Sequence, residues 1–359
     1  MKKIKFLESI RGISALIVLL FHLKDTTNSI LIHNFLILNG KIFVDFFFVL
    51  SGFVIAHSYS SKIHTLIDLL KFKFKRFLRL YPLHILTLIM FIFIEWTKYY
   101  FSIKTEIFSN SLPFSINNMN SFIHNLFLTH AFLSNNSFNI PSWSISVEFY
   151  TYFLFSLIVL FIKNKNMCLF FFIGISISSS LYIIFSSGTI TSMENEDGFV
   201  RCCFSFFLGS TIFGLQSFFR IKPKLVNYLI LIFLSLMVIS FFIGNNFIGI
   251  LIFATIILIS VKEERNYFVK ILNFGPLVYL GSISYGIYMF HFLVIWSERQ
   301  ISKYILKIDP DGFMIIVTTI IFTILLAHIS KIYLENKFTN FGKKIKFSKD
   351  QTINKLCLK

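Results

Sequence analysis

Residues 6–23 read FLESIRGISALIVLLFHL. Eighteen residues of α-helix rise roughly 27 Å, close to the hydrocarbon thickness of a bilayer. All but Glu8, Arg11 and His22 are apolar or small. Arg11 and His22 stand eleven positions apart. Eleven steps of about 100° return to within about 20° of the starting direction, so both share one helix face, roughly 16 Å apart along the axis. Ionisable groups in hydrocarbon cost several kcal/mol unless they are paired or face a cavity. The stretch therefore reads as a membrane helix whose few polar residues carry the functional signal. Taken singly, Arg11 reads equally as an anchor at one interface and His22 as an anchor at the other.

The remainder of the chain extends this reading. Of 359 residues, 55% are hydrophobic and 14% charged, a balance that excludes a soluble enzyme. Apolar runs near 8–24, 41–60, 80–97, 145–162, 167–185, 200–219, 226–243, 247–261, 277–297 and 313–333 predict an all-α polytopic integral membrane protein with about ten transmembrane helices. With the N-terminus in the cytoplasm, that face holds Lys2, Lys3, Lys5, Arg11, Lys62, the Lys71–Arg79 cluster and Lys163/Lys165. It also holds Arg220/Lys222/Lys224, Lys262/Arg265/Lys270 and the basic tail, which brings it to 26 of the 34 Lys and Arg. This is a positive-inside pattern with both termini cytoplasmic. The net charge of +17 is thus topology and contact with anionic lipid heads, not a nucleic-acid surface. Glu8 and Arg11 interrupt the first apolar run and no small-residue cleavage site follows it, so that run reads as a retained helix. Cys168, Cys202, Cys203 and Cys357 have no metal-ligand spacing and read as structural, with no metal site expected. The chain divides into one transmembrane domain, 1–340, and a basic cytoplasmic tail, 341–359.

Four further polar constellations accompany Arg11 and His22. GKIFVDFFFVLSGFVIAHSY at 40–59 puts Asp45 about one turn inside the outer end of the second segment, at a depth similar to His22. A carboxylate facing an imidazole is a base with its orienter. KFKFKRFLRLYP at 71–82 spaces Arg76 and Arg79 at i,i+3 near the inner face, as an interfacial anchor or as a phosphate site. IPSWSISVEFYTYF at 140–153 places Glu148 just inside an apolar run near the outer surface. There it would act as an acid/base group or as an acceptor for substrate hydroxyls. SISYGIYMFHFLVIW at 282–296 sets Ser284, Tyr288 and His291 on one stripe, which either lines a polar cavity or bonds to another helix.

Together these motifs resemble the acyltransferase 3 family of integral membrane acyltransferases. The likeness runs from about residue 5 to 340. The first helix resembles the family's Arg-x10-His, VDFFFVLSGFVI its second-helix signature, and RFLRLYP its Arg-x-x-Arg. PSWSISVE resembles its Trp-Ser-x-x-x-Glu stretch and ISYGIYMFH its late Tyr/His helix. The resemblance implies transfer of an acyl group, usually acetyl, from cytoplasmic acyl-CoA (acetyl-CoA) to a sugar hydroxyl of a surface glycan, at a bacterial cytoplasmic (inner) membrane. It implies His22 as catalytic base with Asp45 and Glu148 beside it. Arg11, Arg76 and Arg79 would hold the donor, and Trp143, Ser144, Tyr288 and His291 would bind substrate. A transporter or flippase of lipid-linked glycan would also need buried charges and a polar pathway. It has no use for an inner Arg-x-x-Arg combined with a histidine at outer depth.

Overall fold

The computed structural model describes residues 4–104, 112–133, 136–186, 190, 197–219, 221–302 and 312–347. The acidic residues Glu194 and Glu196, Arg220, Cys357 and the tail beyond Phe347 lie outside them. The helix α1 (Lys5–His22) carries the opening stretch, and a four-residue turn, α2 (Phe35–Leu38), leads into α3 (Ile42–Tyr59). Next comes α4 (Leu66–Lys104), the longest helix. Two short helices, α5 (Met119–Leu126) and α6 (His130–Leu133), and a 3-10 turn at Ile140–Ser142 precede α7 (Trp143–Phe161). Then follow α8 (Lys165–Ser186), α9 (Gly198–Leu215), α10 (Pro223–Ile243), α11 (Asn246–Lys262) and the short α12 (Tyr267–Leu272). The helices α13 (Gly275–Ser282) and α14 (Ser284–Gln300) meet at a 66° bend. Last, α15 (Gly312–Ser330) continues through a π-helical turn, Lys331–Glu335, into α16 (Asn336–Lys343).

The described residues are all helix and connection, with no strand. Each of the ten apolar runs falls on one of these helices or on the bent α13–α14 pair. Among the described residues, seven helices are long and apolar enough to cross a membrane, and the bent pair makes up to eight. The two runs left over fall short for visible reasons. In α1 the span holds Lys5, Glu8 and Arg11, and α11 has only 17 residues.

Small residues fix the closest helix pairs. A Cβ on Gly52 of α3 would lie 1.8 Å from the carbonyl oxygen of Phe206 in α9, and one on Gly209 of α9 would lie 2.0 Å from that of Val49. Likewise a Cβ on Gly281 of α13 would meet the Glu8 carbonyl of α1 at 1.9 Å. Lipid tails are as apolar as leucine, so association inside a bilayer depends on such backbone approach. Gly52→Ala is expected to cost about 1–3 kcal/mol by overpacking. Gly174→Ala, where a Cβ meets nothing within 4 Å, is the matched control. Thermal unfolding of the two purified variants checks this, and equal midpoints would refute it.

The long connection between α4 and α7 is held mainly through its backbone. From α4, the Tyr81 hydroxyl donates to the Leu126 carbonyl at 2.9 Å, and His84 Nε2 donates to the Asn125 carbonyl at 2.9 Å. From α7, Ser146 Oγ donates to Leu128 O at 2.5 Å. At the far end of α4, Glu95 accepts from the Phe114 N–H at 2.9 Å, Asn117 Nδ2 at 2.8 Å and Lys98 Nζ at 2.6 Å. Asn139 Nδ2 then donates to Met289 O of α14 at 2.9 Å, which seats the turn that opens α7. The 340/341 boundary falls inside α16, and the start of the tail docks on the bundle. Phe347 is buried beside Tyr59, beneath Lys75.

Candidate active site

Two cavities lie end to end inside the bundle. The first is lined by Arg11 of α1, Arg79 of α4, Glu148 and Tyr152 of α7, and Ser284 and Tyr285 beyond the α13–α14 bend, among others. The second is lined by Val18, Phe21 and His22 of α1, Lys41, the Ile140–Pro141 turn, Trp143 and Arg201 of α9. Val44 and Tyr288 line both. We call them the arginine cavity and the histidine cavity. The one-face placement of Arg11 and His22 holds, and the three turns between them put one residue in each chamber.

Two guanidiniums, Arg11 and Arg79, line the arginine cavity. Arg79 makes no hydrogen bond or ion pair among the described residues. Arg11 has Glu8 at 3.8 Å as its ion-pair partner. The single carboxylate of the wall, Glu148, accepts from the Tyr152 hydroxyl at 2.7 Å, which itself accepts from Ser51 Oγ at 2.8 Å. Glu148 was expected on the outward, acceptor side. The structure instead brings it into one chamber with Arg11 and Arg79, because five residues into α7 its side chain turns toward α1 and α4. Arg76 was expected beside Arg79. It does not line the cavity, and its Nη2 donates to the Tyr59 hydroxyl at 3.0 Å while the guanidinium lies over the Tyr59 and Phe72 rings. One helical turn of three residues rotates its side chain some 60° away from that of Arg79.

In the histidine cavity, His22 Nδ1–H donates to the Val18 carbonyl at 2.9 Å. That bond fixes the neutral tautomer and makes Nε2 the basic nitrogen. The His291 ring lies 4.9 Å away, centroid to centroid, and is fully buried. Its Nδ1–H donates to Tyr288 O at 2.7 Å, and its Nε2 has no hydrogen-bond partner among the described residues. The Tyr288 hydroxyl donates to the Pro141 carbonyl at 2.9 Å and meets Ser144 Oγ at 2.8 Å. Of the four residues that sequence reading grouped, Trp143 and Tyr288 line this cavity, Ser144 lines the arginine cavity, and His291 lines neither but lies against the His22 ring.

Asp45 departs from its expected place as the orienter of His22. Its carboxylate receives Arg201 Nη2 at 2.7 Å, Arg201 Nε at 3.1 Å and Ser205 Oγ at 3.0 Å, and it lines neither cavity. Both members of the pair are buried, at 0% and 1% exposure. Arg201 also donates to the Lys41 carbonyl at 2.9 Å and lies over the Trp143 ring at 5.4 Å. Two charges at like depth in hydrocarbon pair before either serves a neutral imidazole. Sequence reading missed Arg201, counting it among the outward basic residues. The signal was there: an arginine three residues inside the apolar run GFVRCCFSFF, level with Asp45. Tyr152, four residues after Glu148, was missed as well.

A helical bundle with seven candidate membrane spans among the described residues, and with an arginine-bearing cavity next to one that holds a histidine, defines a multi-pass membrane protein. The chain belongs to the acyltransferase 3 family: the family model, described as an acyltransferase domain, matches residues 4–330. It is a membrane acyltransferase, and the match gives the transporter reading no support. No curated protein and no solved structure matches the chain.

Proposed function

We propose that this protein is an O-acyltransferase, with acetyl as the group carried. It moves the acyl group from cytoplasmic acyl-CoA to a sugar hydroxyl of a surface or lipid-linked polysaccharide across a bacterial inner membrane. What carries this reading is the pair of cavities joined at Val44 and Tyr288, one with unspent guanidinium charge and the other with a tautomer-fixed histidine. In this reading the bundle has ten spans and both termini are cytoplasmic, supported by the 26 of 34 basic residues that then face inward.

The donor's phosphates face Arg11 and Arg79, whose forked donors match phosphate oxygens. Its pantetheine arm runs along the arginine cavity, and the thioester carbon rests at the shared wall. The acceptor sugar enters the histidine cavity, where Trp143 offers an aromatic face. His22 Nε2 takes the hydroxyl proton as the oxygen attacks the thioester carbon. The C–O bond forms, the C–S bond breaks, and the imidazolium returns its proton to the departing thiolate. Burial of His291 against His22 keeps water from the imidazole, and Glu148 balances part of the guanidinium charge.

Two measurements test the reading. Mass spectrometry of surface glycans from cells with and without the gene is expected to show the loss of an acetyl mass. Identical glycans would remove the acceptor assignment. For the donor, coenzyme A is expected to raise the melting temperature of the purified protein, as a native-state ligand does. Arg79→Ala should raise the half-protecting concentration about tenfold or more, the scale of a lost charged hydrogen bond. Arg76→Ala should change it less than about threefold. Unchanged protection in both variants would return both arginines to topology anchors.

A further inference from the structure

We propose that Val44 and Tyr288, the wall common to the two cavities, set the upper size of the acyl group that the enzyme transfers. The inference rests on the reading that donor and acceptor enter opposite chambers. On that reading the reacting carbon sits at this wall, and whatever the carbon carries has to fit there.

The wall is stiff on both sides. Tyr288 is 6% exposed, and its hydroxyl donates to the Pro141 carbonyl and accepts from Ser144 Oγ. The accepting carbonyl is anchored in turn, because Asn139 joins its turn to Met289 on α14. A swing of the ring therefore breaks both hydrogen bonds. Val44 is a β-branched residue in a helix, with one strongly preferred rotamer. Its neighbour Asp45 ties α3 to α9 through Arg201, so the backbone beneath it cannot drift. Phe47, 5.8 Å from the Tyr288 ring, closes the arginine side of the passage. Close-packed walls of this kind respond to single methylenes, and one methylene in an apolar slot discriminates by about 10–200-fold.

The test uses full-length protein in detergent and thermal protection by coenzyme A, acetyl-CoA, propionyl-CoA and butyryl-CoA. In the wild type the half-protecting concentration of butyryl-CoA is expected to exceed that of acetyl-CoA by about tenfold or more. Val44→Ala widens the wall and Ser144→Ala unclamps Tyr288. Each should bring that ratio below about threefold, and Val44→Leu should increase it. Ser144→Ala and Val44→Leu keep the test open if Val44→Ala fails to fold. Equal protection by all acyl lengths in the wild type overturns the inference while leaving the donor site standing, as does a ratio unmoved in the variants. Protection by none of the four compounds overturns the donor reading and this inference with it.

Discussion

In a His22→Ala strain, acyl transfer to surface glycans is expected to fall by about 10²–10⁴-fold, the range of a lost general base. The protein should remain inserted and folded. His22 is half-buried, its ring sits against His291 and Phe292, and its Nδ1–H bond is internal to α1. Removing the ring opens space beside a cavity already present, which the bundle tolerates. The loss of rate should therefore come without a matching loss of melting temperature or of coenzyme A protection, since Arg11 and Arg79 lie in the other chamber. Glycan acylation at the wild-type level in a strain expressing His22→Ala normally would end the assignment of His22 as the base.

The second large effect is on stability. Arg201→Ala takes the guanidinium away from the buried Asp45 carboxylate, and Asp45→Ala takes the carboxylate away from the buried Arg201 guanidinium. Breaking one side of a buried ion pair costs about 3–5 kcal/mol, whereas replacing both sides with apolar groups of similar volume is often neutral. Each single variant is thus expected to lose much of its folded yield and several degrees of melting temperature. The double variant Asp45→Leu/Arg201→Met should recover most of both. If Asp45→Ala instead kept its melting temperature and lost only activity, Asp45 would belong with His22 after all.

The contrast between those residues shows where sequence reading stops. Helix positions were legible because runs of some twenty apolar residues admit one structure in a bilayer. The face shared by Arg11 and His22 was legible for the same reason, since it depends only on helical repeat. What periodicity cannot supply is which helix lies opposite. Asp45 and His22 stand at like depth, and so do Asp45 and Arg201; only the tight α3–α9 approach at Gly52 and Gly209 decides between them. That Glu148 shares a chamber with Arg11 and Arg79 was not legible, because the rotation of α7 about its axis decides the chamber. Nor was the separation of Arg76 from Arg79, because i,i+3 neighbours share a side of a helix without sharing a cavity.

The way the α4–α7 connection is seated has a consequence for how such a protein diversifies. Tyr81, His84, Ser146 and Tyr288 grip it by the carbonyl oxygens of Leu126, Asn125, Leu128 and Pro141. Every residue type offers the same oxygen. The instructions for seating this segment are therefore written mostly in the bundle, and side chains of the segment other than anchors such as Asn117 and Asn139 can drift without unseating it. Mutational load falls unevenly as a result: replacing Tyr81 or His84 disturbs a contact that no substitution at Leu126 or Asn125 would remove by side-chain loss alone. A lineage can rewrite the rim of the histidine cavity while inheriting the machinery beneath it unchanged.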